Sequence, residues 1–244
     1  MRIAVVGGTG VVGRHVVEEV TRAGHEPVVI SRSDGVDLLT GEGLDEALAG
    51  CEVVIDVSNS PSWSREEVER FFSLGTGHLV ESSARAGVRH LVALSIVGAD
   101  VVDLDYYFGK RRQEAVVTAG PVPWTVLRAT QFFEFAAQTL ANESGPVVTV
   151  PPMLSQPVST SDLAARLVEV ALGEPQGYAL PMAGPERMRL VDMARRLVVR
   201  RGDGWEVEEA GEGPAGLADG ALCPDGDHTE GKGTFAEYLE TVRR

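Results

Sequence analysis

Cysteine is almost absent from this 244-residue chain: Cys51 and Cys223 are the whole complement. That excludes a disulfide scaffold and a four-cysteine zinc site alike. Lysine is equally scarce, since of 22 basic residues only Lys110 and Lys232 are lysines and the rest are arginine. Those 22 basic side chains face 36 carboxylates, a formal net charge of −14, so the surface repels phosphate backbones and nucleic acid is not expected as a partner. No apolar run nears the roughly 20 residues that cross a bilayer, and no membrane partner is expected. His15, His25, His78, His90 and His228 are scattered without ligand spacing, so no metal is expected either. The chain reaches glycine at position 7, before a signal peptide could complete its apolar core and cleavage site, and the expected compartment is the cytoplasm.

What is present is an ordinary balance of 43% hydrophobic and 24% charged residues. Length favours one α/β domain with a small annex, large enough to bury roughly 70–75% of the unfolded chain's surface without a metal or disulfide staple. Apolar strands are predicted at 2–6, 26–30, 53–57, 90–94 and 124–127. Helical patterns separate them: one after Gly13 that ends at Gly24, then 44–48, 65–86 and 106–119, with another over 132–140. Strand, helix and strand within about thirty residues is a βαβ unit, and its repetition specifies a parallel sheet covered on both faces. Beyond 144 the rhythm loosens into a strand at 147–150 and helices at 162–172 and 190–200. From 202 to 233 nine of 32 residues are glycine, which reads as loop, before a closing helix at 234–242. The expected architecture is a Rossmann-type, doubly wound parallel sheet, with residues 1–145 as the dinucleotide-binding core and 146–244 as a smaller substrate-binding annex of the same composite domain.

Gly7, Gly10 and Gly13 stand between the first strand and the first helix. In a dinucleotide site the first permits a tight turn, the second lets the backbone approach a pyrophosphate, and the third allows close helix–strand packing. Thr9 and the amides near Gly10, Val11 and Val12 then face the anion at the helix N-terminus. After the second strand comes Ser31-Arg32-Ser33 rather than an immediate carboxylate. An arginine there pairs with an adenosine 2′-phosphate, which favours NADP(H) over NAD(H). Asp34 lies four residues past the strand end, in the expected loop. Asp37 either contacts the adenine or caps that loop. Val57, Ser58 and Asn59 end the third strand at the carboxyl edge of the sheet, where a cofactor lies in an open parallel sheet.

Tyr106 and Lys110 stand at i and i+4 where a helix is expected to open, on one face of it. An ammonium beside a phenol lowers the phenol's pKa from near 10 toward neutrality and makes it a usable general acid or base. Ser95 closes the preceding strand, placed to hydrogen-bond a substrate carbonyl or to cap a turn. Tyr107 can take the role of Tyr106 if the helix starts later. Thr130, Gln131, Phe132 and Phe133 follow the fifth strand and are expected to line the pocket near the nicotinamide, one phenylalanine facing substrate and the other buried.

The opening Val-Val-Gly-Gly-Thr-Gly-Val-Val-Gly, the Leu-Ser-Ile-Val-Gly strand end, the Tyr-x-x-x-Lys helix and the stretch from Trp124 to Phe133 together resemble the atypical short-chain dehydrogenase/reductases, and within them the NmrA-like NAD(P)H-binding proteins. The resemblance runs over nearly the whole chain. It implies that Tyr106 donates or accepts the proton, that Lys110 holds the nicotinamide ribose and tunes the tyrosine, and that Ser95 orients the carbonyl. The function expected is an NADP-dependent oxidoreductase that moves a hydride between nicotinamide and a carbonyl or alcohol carbon of a small organic substrate, as a monomer or homodimer. Two other readings remain at this level: an NADP(H)-sensing regulator without turnover, and a non-redox dehydratase, cyclase or isomerase on the same scaffold.

Overall fold

Strand β1 (Arg2–Val6) is apolar after its first residue and buried from Ile3 onward, so it needs a partner strand on each edge. It pairs in parallel with β2 (Glu26–Ile30) on one side and β3 (Val53–Asp56) on the other. The computed structural model describes residues 1–141 and 145–243. The chain continues through helices α1 (Val11–Arg22) and α2 (Leu44–Leu48), then α3 (Arg65–Arg70) and α4 (Thr76–Ala86), to β4 (His90–Ile96). Helix α5 (Asp105–Ala119), strand β5 (Trp124–Ala129) and helix α6 (Glu134–Leu140) follow. The remainder holds strands β6 (Val147–Val150) and β7 (Leu154–Ser155), helix α7 (Thr160–Leu172), and strands β8 (Gly177–Tyr178), β9 (Met182–Ala183) and β10 (Met188–Arg189). Helix α8 (Leu190–Arg201), strands β11 (Glu206–Glu209) and β12 (Thr229–Glu230), and helix α9 (Phe235–Thr241) close it.

The main sheet is parallel throughout, in the order β12-β9-β5-β4-β3-β1-β2, with β8 also alongside β5. Helices α1 and α7 pack on one face around Val16, Val20, Leu163 and Leu167, while α2, α4 and α5 cover the other around Leu44, Leu79 and Val117. Coverage of both faces is what makes near-continuous apolar strands affordable, and the doubly wound Rossmann-type class follows from it. The strand order turns back at β1 and β3, so their carboxyl ends flank the crevice where ligands bind in such sheets.

Two expectations change. The helix expected over 65–86 is interrupted by a π-helical segment, Phe71–Gly75, between α3 and α4. Its wider turn carries Phe72 into the interior, wholly buried beneath α5. The glycine-rich 202–233 stretch is not all loop, because β11 pairs with β6 and β12 extends the main sheet beside β9. The two parts expected on either side of position 145 share apolar packing, as a composite domain requires. A third apolar cluster joins Ala99, Val102 and Tyr107 from before it to Leu190, Leu197 and Phe235 from after it. Arg244, the end of the expected annex, lies outside the described residues.

Candidate active site

Gly7 leaves β1 at φ +80, a conformation that costs a residue with a Cβ about 1–2 kcal/mol. A Cβ on it would also stand 2.9 Å from Ser58 Cα, so the β1 and β3 exits touch. A Cβ on Gly13 would meet Gly7 O at 2.1 Å, which only glycine avoids as α1 closes on the loop. Gly10 is the N-cap of α1 and brings no side chain to its first turn. Among the described residues the amides of Val11, Val12 and Gly13 have no protein acceptor. Those free donors at the positive end of a twelve-residue helix form an anion cradle.

At the end of β2 the chain makes a 3-10 turn, Arg32–Asp34. Arg32 is exposed there and, among the described residues, forms no ion pair. Ser31 donates to the Asp34 carboxylate and shares a 2.7 Å hydrogen bond with Ser33. Asp34, expected away in the loop, thus folds back onto the strand end. Asp37 accepts at Oδ1 from the Leu39 amide at 2.8 Å, so it caps its own loop, the second of the two roles open to it.

Ser95 lies near the end of β4 and Tyr106 in the first turn of α5. The Ser95 hydroxyl is buried with no hydrogen-bond partner, an arrangement that costs free energy unless a ligand completes it. Tyr106 donates to Asn59 Oδ1 at the exit of β3, and its ring packs 5.2 Å from Trp63 and 6.0 Å from Phe72. Lys110 is buried beneath it. Its ammonium donates to Leu94 O at 2.6 Å and to Gln113 Oε1, and lies 4.7 Å from the Phe72 ring centre. Gln113 Nε2 in turn donates to Asp56 Oδ2 at 2.8 Å, while Asp56 Oδ1 accepts from the Ser58 amide at 2.9 Å. Burial lowers the Lys110 pKa to about 8, against the opposing pull of Asp56 and Glu114.

Here the sequence expectation needs correction. Lys110 was expected to lower the Tyr106 pKa, yet burial, and after it Tyr107 and Asp56, hold that phenol well above its ordinary value. The lysine faces Leu94 and Gln113 instead, so no ammonium offsets the loss of water around the phenol. Tyr107 also lies above the ordinary phenol value through burial, opposed by the amide of Gln131 that donates to its oxygen at 2.8 Å.

These groups share one cavity of about 780 Å³. Gly10, Val11 and Val12 line it at one end with Val57, Ser58 and Asn59, and Ser95, Tyr106 and Lys110 line its middle. Thr130, Gln131 and Phe132 line it beyond. Thr130 is buried and donates to Gln156 O at 2.6 Å, and Ser155 donates to Gln131 Oε1 at 2.7 Å. Phe133, named with the substrate set, is the buried one of the phenylalanine pair: it does not line the cavity, is 3% exposed and packs on Phe235 and Tyr238. Gly7, Thr9 and Gly13 shape the loop without lining the cavity, and Ser31, Arg32 and Asp37 lie outside its wall.

Sequence reasoning passed over Asp56, Gln113, Trp63 and Phe72. Asp56 had a signal, a carboxylate ending an otherwise apolar buried strand, which demands a buried partner. Gln113 had the i+3 spacing from Lys110. Trp63 and Phe72 had none, since their places depend on the loop after β3 and on the π-helical segment. No group of three or more metal-binding side chains occurs among the described residues, and no described helix is long and apolar enough to cross a membrane.

Comparison with known proteins agrees with this geometry. The profile described as NAD(P)H-binding matches residues 7–173. The (4-alkanoyl-5-oxo-2,5-dihydrofuran-3-yl)methyl phosphate reductase of Streptomyces griseus is 29% identical over 239 residues, covering 86% of this chain and 77% of that one. Among solved structures, the NADPH-dependent quinone oxidoreductase QOR2 of Escherichia coli, complexed with NADPH, superposes with a TM-score of 0.73 at 18% identity, over 98% of each chain. The UDP-glucose 4-epimerase of Thermotoga maritima gives 0.76 at 16% identity, over 98% of this chain and 96% of that one. At these identities the structures speak for the fold alone.

Proposed function

The chain belongs to the NAD(P)H-binding family, and from that premise we propose that it is an NADP-dependent oxidoreductase of the atypical short-chain type, moving a hydride between nicotinamide and a carbonyl or alcohol carbon of a small organic molecule. One observation carries the reading: a single cavity joins the uncapped N-terminus of α1 to Ser95, Tyr106 and Lys110. The reductase activity named for the Streptomyces relative points the same way.

The residues fit the cofactor. The amides from Val11 to Gly13 and the α1 dipole would hold the pyrophosphate, and Ser58 and Asn59 line the same cavity at the β3 exit. Arg32, exposed and free of ion pairs among the described residues, pairs with a 2′-phosphate. When bound, the nicotinamide supplies or accepts the hydride. Tyr106, whose pKa lies above the ordinary phenol value, stays protonated through the neutral range and enters as the acid. Its proton would pass to the substrate oxygen, and the phenolate left behind would regain a proton from solvent. The unpartnered Ser95 hydroxyl donates to the same oxygen. Lys110, whose ammonium donates to Leu94 O and Gln113, brings the one positive side-chain charge among the described residues that line the cavity.

The test is NADPH oxidation across a panel of carbonyl compounds. Tyr106→Phe is expected to lower kcat/KM by about 100-fold or more while leaving NADPH affinity within about twofold. Full activity in the variant would overturn the assignment. A second reading, cofactor binding without turnover, is favoured by the engagement of both Tyr106 and Lys110 with protein partners. It predicts tight NADPH binding and no oxidation of any compound on the panel.

A further inference from the structure

Beyond the cofactor's end, the cavity wall carries little charge. Leu104, Phe132, Phe135, Pro151, Met153 and Leu217 line it there, with Gln131 and Gln138 as amide-bearing members. Lys110 is the one basic side chain among the described residues that line the cavity, and its ammonium is engaged with Leu94 O and Gln113. The carboxylates Asp103 and Asp105 also line it, and both are solvent-exposed. The arginines next in sequence to lining residues are engaged elsewhere: Arg111 donates to Ala99 O, Val102 O and Asp103, and Arg128 pairs with Asp100 and Glu114.

Inside such a wall an anion meets no free cation and is repelled by Asp105, while Asp103 is already paired with Arg111. A cation fares little better, because Asp103 is taken by Arg111, Asp105 is exposed to solvent, and an unpaired charge is costly to bury. An uncharged molecule pays neither cost. One hydrogen-bond donor also waits for it. Tyr107 accepts from Gln131, which Ser155 fixes from its other end, and the tyrosine's own proton has no acceptor among the described residues.

We propose that the outer half of the cavity takes an uncharged, largely apolar molecule whose oxygen accepts a hydrogen bond from Tyr107, and that it rejects phosphorylated and carboxylated molecules. The Streptomyces relative is named for a phosphate-bearing substrate; this wall offers a phosphate no cation. The inference rests on the reading of the cavity as a reductase site.

Isothermal titration of the full chain, free and saturated with NADP+, which cannot reduce a ketone, compares three probes of one chain length: 2,7-octanedione, whose second oxygen is free of Tyr106 and Ser95, octanoate and octylammonium. The ketone is expected to bind at least about tenfold more tightly than either ion, and Tyr107→Phe to weaken the ketone by about fivefold, the loss of one neutral hydrogen bond. An ion binding as tightly as the ketone overturns the substrate class, and an unchanged ketone affinity in the variant overturns the role of Tyr107. The wild-type ranking stands whether or not that variant folds. Failure of NADP+ to bind would instead defeat the cofactor reading, with the ranking on the free protein still deciding the substrate class.

Discussion

Tyr106 and Lys110 are one turn apart, yet they answer to different neighbours. Tyr106 reaches Asn59 across the crevice, whereas Lys110 turns under α5 toward Asp56 through Gln113. The spacing in the sequence placed both residues at the cavity; it carried no information about Asp56, which arrives from 54 positions away. Two predictions belong here. Below a pH of about 8 Lys110 is charged, and above it the ammonium is lost, while Tyr106 keeps its proton to higher pH. The alkaline limb of kcat/KM should therefore fall near pH 8 and report the lysine. Lys110→Arg should move that limb upward, because a guanidinium does not titrate there; a limb that stays in place would assign it to another group. For cofactor choice, Arg32→Ala should weaken NADPH by about tenfold or more, as expected for a charge-assisted contact, and leave NADH unchanged. Equal losses for both would remove the 2′-phosphate role.

Among the elements, the glycine loop and the strands that flank it were legible because their signals are local: an apolar run, a glycine at each constrained position, a helix pattern beginning at once. The short strands β8, β9, β11 and β12 were not. Each is two to four residues long and is defined by a partner far away, as β11 is by β6. The π-helical segment was equally hidden, since its apolar spacing differs from an α-helix by one residue in a single turn. The third glycine gives a clean test of the loop. Gly13→Ala sets a Cβ 2.1 Å from Gly7 O, and should cost roughly 1–3 kcal/mol together with most of the NADPH affinity. Gly24→Ala, where φ is +79 and no neighbour lies within 4 Å, should cost about 1–2 kcal/mol and leave NADPH binding intact. Urea melts and fluorescence titrations on the two variants check both. At the other end of the chain, Thr234 and Glu237 form a capping box on α9, and Thr234→Ala should cost about 1 kcal/mol.

At the scale of the molecule, the net charge of −14 looked like the chief clue to a partner and turns out to matter mainly through where it is absent. The anion cradle is made of backbone amides, so an acidic surface and a phosphate-bearing cofactor coexist. The cavity wall draws on both sides of position 145, from Gly10 to Leu217, and the third apolar cluster also spans it, so binding in the cavity should stabilise the protein as a unit. NADPH at 100 times its Kd should add about 2.7 kcal/mol, a rise in Tm of about 5–10 °C for a chain of this size, in one cooperative transition. Two separate transitions, with only one shifted, would show that the parts fold independently.

The central claim is that a hydride crosses this cavity under the control of Tyr106. It is tested most directly by supplying NADPH deuterated at one face of the nicotinamide C4, with uncharged ketones as acceptors, and following the label by mass spectrometry. The account predicts deuterium on the carbinol carbon of the product from one of the two labelled faces only, and its loss with Tyr106→Phe. NADPH bound tightly with no label transferred to any acceptor would contradict it.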